Sequence, residues 1–212
     1  EMAKQVAHEI KNPLTPMRLT VQSFEQRFDV KDPNIKTKLG EFSKSLIQQI
    51  DTLSSIASAF SSFAELPKQK REELNVVEVV KLALDIFHED YIYYFHDTDL
   101  LIAKLDKTHL IRIITNLVKN AIQSTEDINN PKIEVKVKED NGNIIINVSD
   151  NGKGIEPIDR VKIFEPRFTT KSSGMGLGLP MIKNIVEAYE GNITFTTEIN
   201  KGTVFTVVIP KK

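Results

Sequence analysis

The 212-residue chain contains no cysteine. That excludes disulfides, thiolate nucleophiles and Cys-ligated zinc, and it fits a reducing compartment. There is no surplus of either charge: 28 Lys and Arg stand against 29 Asp and Glu, for a net charge of -1. No global basic field therefore marks a binder of nucleic acid or of anionic membranes. No apolar run approaches the ~20 residues of a membrane helix. The opening Glu-Met-Ala-Lys-Gln-Val-Ala-His lacks the apolar centre of a signal peptide. It reads as the middle of a helix, so the chain is expected to be a piece of a longer protein. What remains, 40% hydrophobic and 27% charged, is an ordinary globular composition, enough for one large domain or two small ones.

The first third also lacks glycine, Gly40 excepted, and reads as two helices. Val6, Ile10, Leu14, Met17, Val21, Phe24 and Phe28 recur at steps of three and four. So do Ile35, Leu39, Phe42, Leu46, Ile50, Leu53, Ile56, Phe60 and Phe63. Each set is a nearly pure heptad stripe that must be covered by another helix. The polar run Asp29–Asn34 between them suits an antiparallel hairpin. Pro13 and Pro16 interrupt the first helix. Local rules allow a restart capped by Thr15, but the stripe keeps its phase, which favours one kinked helix. A lone hairpin of 66 residues has too little core. Two copies would make a four-helix bundle, so a homodimer through the hairpin is expected.

After the polar linker Leu66–Glu73 the pattern changes. Asn75 and Asp106 are placed to cap helices over 76–87 and 107–124. Short strands are expected at 91–95 and 100–102. The alternating runs 132–138 and 143–149 flank an Asn141-Gly142 turn, and 192–198 and 203–209 flank Asn200–Gly202. A further helix is expected over 177–189. The expected class is α+β: a helical hairpin, residues 1–66, then an α/β sandwich, residues 67–212, whose largely antiparallel sheet carries helices on one face.

Four clusters carry chemistry. In His8-Glu9-Ile10-Lys11-Asn12-Pro13, His8 and Asn12 share a helix face. Neutral imidazole is a nucleophile near pH 7, and an adjacent carboxylate can take its proton. Alone, the same residues fit an exposed surface histidine. Asn116 and Asn120 lie four apart on the 107–124 helix, beside Lys119. They fit either a pair of surface amides or oxygen donors for a hard cation such as Mg²⁺. Asp150-Asn151-Gly152-Lys153-Gly154 ends an apolar strand. It fits a plain β-turn, or a carboxylate that accepts the amine of adenine and repels the carbonyl of guanine. Gly174-Met-Gly-Leu-Gly-Leu179 precedes a helix and suits phosphate. It matches neither the Rossmann nor the P-loop spacing.

In this order the clusters resemble the transmitter core of bacterial sensor histidine kinases over nearly the whole chain. His8–Leu14 resembles the H-box and Asn116–Ala121 the N-box. Asp150–Gly154 resembles the G1 box, Ile163–Phe168 the F-box and Gly174–Leu179 the G2 box. The wording Asn-Pro-Leu-Thr-Pro16 is similar to the nitrogen-regulation subgroup. Arg167 departs from the pattern, standing where relatives often carry an aromatic. The resemblance implies a dimerisation and phosphotransfer hairpin followed by a Bergerat-fold ATP-binding domain. It implies autophosphorylation of His8 from ATP, with Glu9 as proton acceptor. An aspartate on the receiver domain of a response regulator would then receive the phosphoryl group. Asn12 would orient a water for dephosphorylating that regulator. Asn120 would carry Mg²⁺, with Asn116 and Lys119 near the phosphates. Asp150 would read adenine in a pocket shaped by Gly152 and Gly154. Lys171, Gly174, Gly176 and Gly178 would form the lid and phosphate wall. The expected location is cytoplasmic, with any membrane anchor in missing N-terminal segments.

Two other readings stay open at this level. An ATPase of the same nucleotide-binding superfamily would use the second part of the chain to drive conformational change. A dimeric scaffold with a degenerate nucleotide site would use neither chemistry.

Overall fold

The computed structural model describes residues 2–29, 32–64, 69–166, 168–169 and 176–211; for residues 2–10, 27, 51–52 and 54–64 it describes the backbone alone. Lys171, Gly174 and Arg167 lie outside the described residues. The chain forms two compact units, residues 1–67 and 68–212.

The first unit is a hairpin of α1 (Met2–Arg27) and α2 (Ile35–Ala64). Pro13 and Pro16 both lie inside α1, which runs as one helix. Thr15 does not cap a restart: its hydroxyl donates back to the Lys11 carbonyl at 3.1 Å. Asp32 organises the turn. Its carboxylate accepts from the Asn34 amide at 2.8 Å and from Lys38 Nζ at 2.6 Å. The stripes meet where Phe24 stacks on Phe42, ring centroids 4.1 Å apart.

The second unit follows in the order β1 (Glu72–Asn75), α3 (Val76–Leu84), β2 (Ile92–His96), β3 (Ile102–Leu105), α4 (Lys107–Ser124), β4 (Ile133–Asp140), β5 (Asn143–Asp150), α5 (Gly178–Glu187), β6 (Asn192–Glu198) and β7 (Gly202–Pro210). Five strands form one sheet in the order β2-β4-β5-β7-β6. Only the β2–β4 pairing in it is parallel. The alternation read from the sequence puts Ile133, Val135 and Val137 of β4, Ile144, Ile146 and Val148 of β5, and Val207 and Ile209 of β7 in the core. There they join Leu110, Ile113, Ile114, Leu117 and Val118 of α4 and Ile182, Ile185 and Val186 of α5. Burying a side chain of this kind stabilises the fold by roughly 1.5–3 kcal/mol before entropy is counted. The α+β sandwich is as expected.

Both expected caps are present. Asn75 Oδ1 accepts from the Val77 amide, and Asp106 Oδ1 accepts from the amides of Thr108 and His109. The linker expected over 66–73 is different in part. Glu72–Asn75 is a strand, paired antiparallel with β3 in a separate two-stranded sheet. The expected strand at 100–102 begins instead at Ile102. Leu101 is otherwise engaged: its amide donates to Asn75 Oδ1 at 3.0 Å and its carbonyl accepts from the Val76 amide at 2.9 Å.

Candidate active site

β5 carries Asp150 to the edge of the core and stops there. Asn151 anchors the turn that follows. Its side-chain oxygen accepts from the Lys132 amide, and its side-chain nitrogen donates to the Asn130 carbonyl, both at 2.8 Å. Asp150 Oδ1 accepts from the Gly152 amide at 2.9 Å and from the Ser124 hydroxyl at 2.8 Å. Ser124 is the last residue of α4. The turn after β5 is therefore fastened to the end of that helix, and the Lys153 amide adds a bond to the Ser124 carbonyl at 3.2 Å.

The glycines of the turn are there for want of room. A Cβ on Gly152 would lie 2.5 Å from the Ser124 carbonyl oxygen and 2.7 Å from Asp150 Oδ1. Gly154 combines a φ of +75° with a position where an added Cβ would lie 2.5 Å from the Glu198 carbonyl oxygen. No L side chain meets both conditions.

Along α4 the same face continues at steps of four: Ser124, Asn120, Asn116. Asn116 Nδ2 donates to the Arg112 carbonyl at 2.8 Å. Its Oδ1 lies 3.0 Å from where a Cβ on Gly178 would sit. Gly178 opens α5, whose preceding residue, Leu177, supplies no side-chain cap. The amides of that first turn lack a capping side chain, the arrangement that stabilises phosphate at a helix N-terminus. Gly176, just upstream, holds a φ of +62°. From Ser124 to Asn116 the helix rises about 12 Å at ~1.5 Å per residue. The site thus has a carboxylate end at Asp150 and a helix-terminus end at Gly178, both along one face of α4.

These are the features a nucleotide needs, and the close-packed glycines let the turn sit against the end of α4 and against Glu198 where any side chain would clash. Asn120 is half-buried, one turn from Asn116, and its amide oxygen is a hard donor. Among the described residues no group of three or more His, Cys, Asp or Glu is placed to hold a metal by itself. A cation at Asn120 would share its ligands with phosphate and water, as Mg²⁺ does. Lys119 is exposed beside it.

The structure thus brings together Asp150, Gly152, Gly154, Asn116, Asn120 and Gly178. It adds Ser124, which the sequence analysis passed over, although the step-of-four pattern running through Asn116 and Asn120 reaches it. His8, Glu9 and Asn12 lie in the other unit, on α1. Only the backbone is described for His8 and Glu9; Asn12 is exposed beside buried Pro13.

Comparison with known proteins gives matches to both units. The family model described as histidine kinase-, DNA gyrase B-, and HSP90-like ATPase matches residues 105–212. The His Kinase A (phospho-acceptor) domain model matches residues 1–69. An NtrY-like sensor histidine kinase sequence of Rickettsia felis is 33% identical over 213 residues, covering 98% of this chain and 35% of its own length. The nitrogen regulation protein NtrY of Azorhizobium caulinodans is 26% identical, covering 91% of this chain and 26% of its own. The chain spans about a third or less of these curated relatives. Among solved structures, the histidine kinase ThkA, in complex with the response regulator protein TrrA, superimposes with a TM-score of 0.77 at 27% identity. It covers all of this chain (100%) and 61% of its own. The catalytic domain of ThkA alone gives 0.61 at 31% identity, covering 67% of this chain and 96% of that domain.

Proposed function

The chain belongs to the histidine kinase-, DNA gyrase B- and HSP90-like ATPase family as a sensor histidine kinase transmitter core of the nitrogen-regulation subgroup, and from that premise we propose how it works. Residues 1–66 act as the dimerisation and phosphotransfer domain, and residues 67–212 bind ATP and transfer its γ-phosphoryl group to His8. One observation carries this reading. A single chain joins a phospho-acceptor match over residues 1–69 to a nucleotide-binding match over residues 105–212, with His8 in a helix of the first.

In the proposed reaction a ring nitrogen of neutral His8 attacks the γ-phosphorus. The N–P bond forms, the bond to the β–γ bridging oxygen breaks, and ADP leaves. Glu9 accepts the ring proton. Asp150, steadied by Ser124 and the Gly152 amide, takes the exocyclic amine of adenine. Asn116 and Lys119 lie along the phosphates, which end against Gly174, Gly176, Gly178 and the amides that open α5, with Lys171 on the lid. Mg²⁺, held by Asn120 and the phosphates, would neutralise charge on the transferring group.

The acceptor of the second transfer is the receiver domain of a response regulator docked on the hairpin. The complex of ThkA with TrrA supports this. So does the hairpin surface: Leu19 and Ile47 stand outside both stripes, are 57% and 58% exposed, and share one level of the antiparallel pair counted from Phe24 and Phe42. Asn12, one turn beyond His8, orients water for the reverse, phosphatase reaction. The exposure of stripe residues Leu14, Val21, Phe28, Leu39 and Ile50 in a single hairpin supports a homodimer in which a second copy would cover them. No helix among the described residues is long and apolar enough to cross a membrane. A reaction drawing on ATP and a regulator belongs in the cytoplasm.

The alternative, an ATPase that only drives conformational change, leaves the histidine-bearing hairpin without a role. Incubation with γ-labelled ATP separates the two. Acid-labile, base-stable label on the protein is the expected result; ATP hydrolysis without protein label would support the alternative.

A further inference from the structure

On the face of the five-stranded sheet that packs against α4 and α5, the registers set side chains in rows. Val137, Ile146, Val207 and Ile193 form one row, and Val135, Val148, Phe205 and Phe195 the next. The row after them is Ile133, Asp150, Thr203 and Thr197. Directly opposed residues share a face. Two threonines therefore stand in line with the carboxylate of the nucleotide end, on the side of the helices. Thr203 is buried, 4% exposed, and Thr197 is half-buried.

Thr197 Oγ1 makes three contacts. The Ile155 amide donates to it at 3.0 Å, the Gly202 carbonyl lies at 3.1 Å and Thr203 Oγ1 at 3.0 Å. A hydroxyl has one proton and two lone pairs. The amide can only donate and the carbonyl can only accept. One arrangement makes all three contacts hydrogen bonds: Thr197 gives its proton to Gly202 and accepts from Ile155 and from Thr203. The Thr203 proton is thereby turned toward β6. Its remaining lone pair is left for the other side of the row, where β5 carries Asp150. A carboxylate also only accepts, so the two neighbours form an acceptor pair.

We propose that Thr197 is a positioning residue for nucleotide selection: by holding the Thr203 proton away from Asp150 it keeps the row an acceptor pair, and the pair selects a purine that carries an exocyclic amine. An amine has two protons, one for each acceptor, reached directly or through an ordered water. A purine without the amine leaves both acceptors unpaired, which is costly in a buried site. Without the Thr197 hydroxyl, the Thr203 proton swings to the carboxylate in a charge-assisted bond and competes with the base. The same hydroxyl fastens Ile155, next to Gly154, so its loss also loosens the turn. The two effects differ in what they do to base choice. The inference rests on the nucleotide-site reading above, in which Asp150 alone meets the base, and extends it.

The test uses the full chain with Thr197→Val, which keeps the shape and removes the hydroxyl, and Thr197→Ser, which restores it. Calorimetry measures affinity for ATP and for purine ribonucleoside triphosphate, the analogue without the amine. The native chain and Thr197→Ser should prefer ATP to the same degree. In Thr197→Val the preference should shrink about three- to tenfold, through weaker ATP binding. Thr203→Val removes the second acceptor and should shrink it as much. The double variant should do no worse than Thr203→Val, because Thr197 acts through Thr203. Equal weakening of both nucleotides in Thr197→Val, with the preference kept, overturns the proposal, since that is a loosened turn. So do additive losses in the double variant. If Thr197→Val fails to fold, Thr203→Val still decides: an unchanged preference there overturns the proposal. A native chain that binds neither nucleotide overturns the nucleotide-site reading itself.

Discussion

The Ser124 hydroxyl donates to Asp150 Oδ1 at 2.8 Å, joining the last residue of α4 to the last residue of β5. The bond ties the carboxylate to the helix that also carries Asn116 and Asn120. On the proposed reading, Asp150→Asn exchanges an acceptor for a group that also donates and would lose a charge-assisted bond to adenine, worth roughly 1.5–3 kcal/mol. Calorimetry should show ATP affinity reduced about ten- to a hundredfold with the fold retained. Ser124→Ala keeps the charge but loosens its aim, so its loss should be smaller, roughly tenfold or less. Equal effects of the two substitutions would mean that Asp150 acts through the turn alone.

Gly178→Ala tests the other end of the site. Its Cβ would sit 3.0 Å from Asn116 Oδ1, so the Asn116 side chain or the opening of α5 must give by a few tenths of an ångström. The expected outcome is a several-fold higher KM for ATP with nearly unchanged thermal stability. An unchanged KM would remove the α5 terminus from the phosphate site.

His109 should make stability depend on pH. Burial lowers its pKa below 6.5, and the positive charges of Arg112 and Arg71 push the same way, against the opposing pull of Asp106. The unfolded chain then binds a proton more readily than the folded one, so folding stability rises with pH through this window. It is fully present above about 6.5 and is lost as pH falls toward the depressed folded value. Asp106 adds a second, more acidic window. Burial alone would raise its pKa, but the amides of Lys70, His109 and Thr108 and the His109 charge outweigh that and lower it below 3.8. Melting temperatures between pH 8 and 5 should fall for the native protein and flatten for His109→Gln. A parallel slope in both proteins would place the titration elsewhere.

Asn12→Ala should leave His8 labelling largely intact and remove most phosphatase activity toward the phosphorylated regulator. Asn12 lies about 6 Å along the axis from His8 at ~1.5 Å per residue, and it is exposed. Its amide can both accept from a water and donate to a phosphoryl oxygen; alanine can do neither. Loss of both activities together would instead assign Asn12 to the backbone around Pro13.

The parts of this account legible in the sequence are those written locally. Asn75 and Asp106 precede helical runs, and a cap depends on residues two or three positions away. The alternation of β4, β5 and β7 marks the buried face directly. The pairing of β1 with β3 is different. Glu72-Glu73-Leu74-Asn75 has no strand-forming composition, and it is a strand because Ala103 and Leu105 offer partners thirty residues away. The buried contact of Tyr189 with His109 is hidden for the same reason. Nothing near Tyr189 in the chain announces His109 or Arg71, and a buried histidine reads in sequence like any other. At the site, the glycines of 152–154 and 178 read as phosphate or turn residues, but their neighbours Ser124 and Glu198 are known only once the chain is folded.

The central claim is that His8 receives the γ-phosphoryl group of ATP bound at Asp150, and one measurement tests it most directly. Native chain and His8→Gln are incubated side by side with γ-labelled ATP and Mg²⁺, and nucleotide affinity is measured on the same preparations. The account predicts acid-labile, base-stable label on the native chain, none on His8→Gln, and equal ATP affinity in both. Label of the same stability on His8→Gln would contradict it.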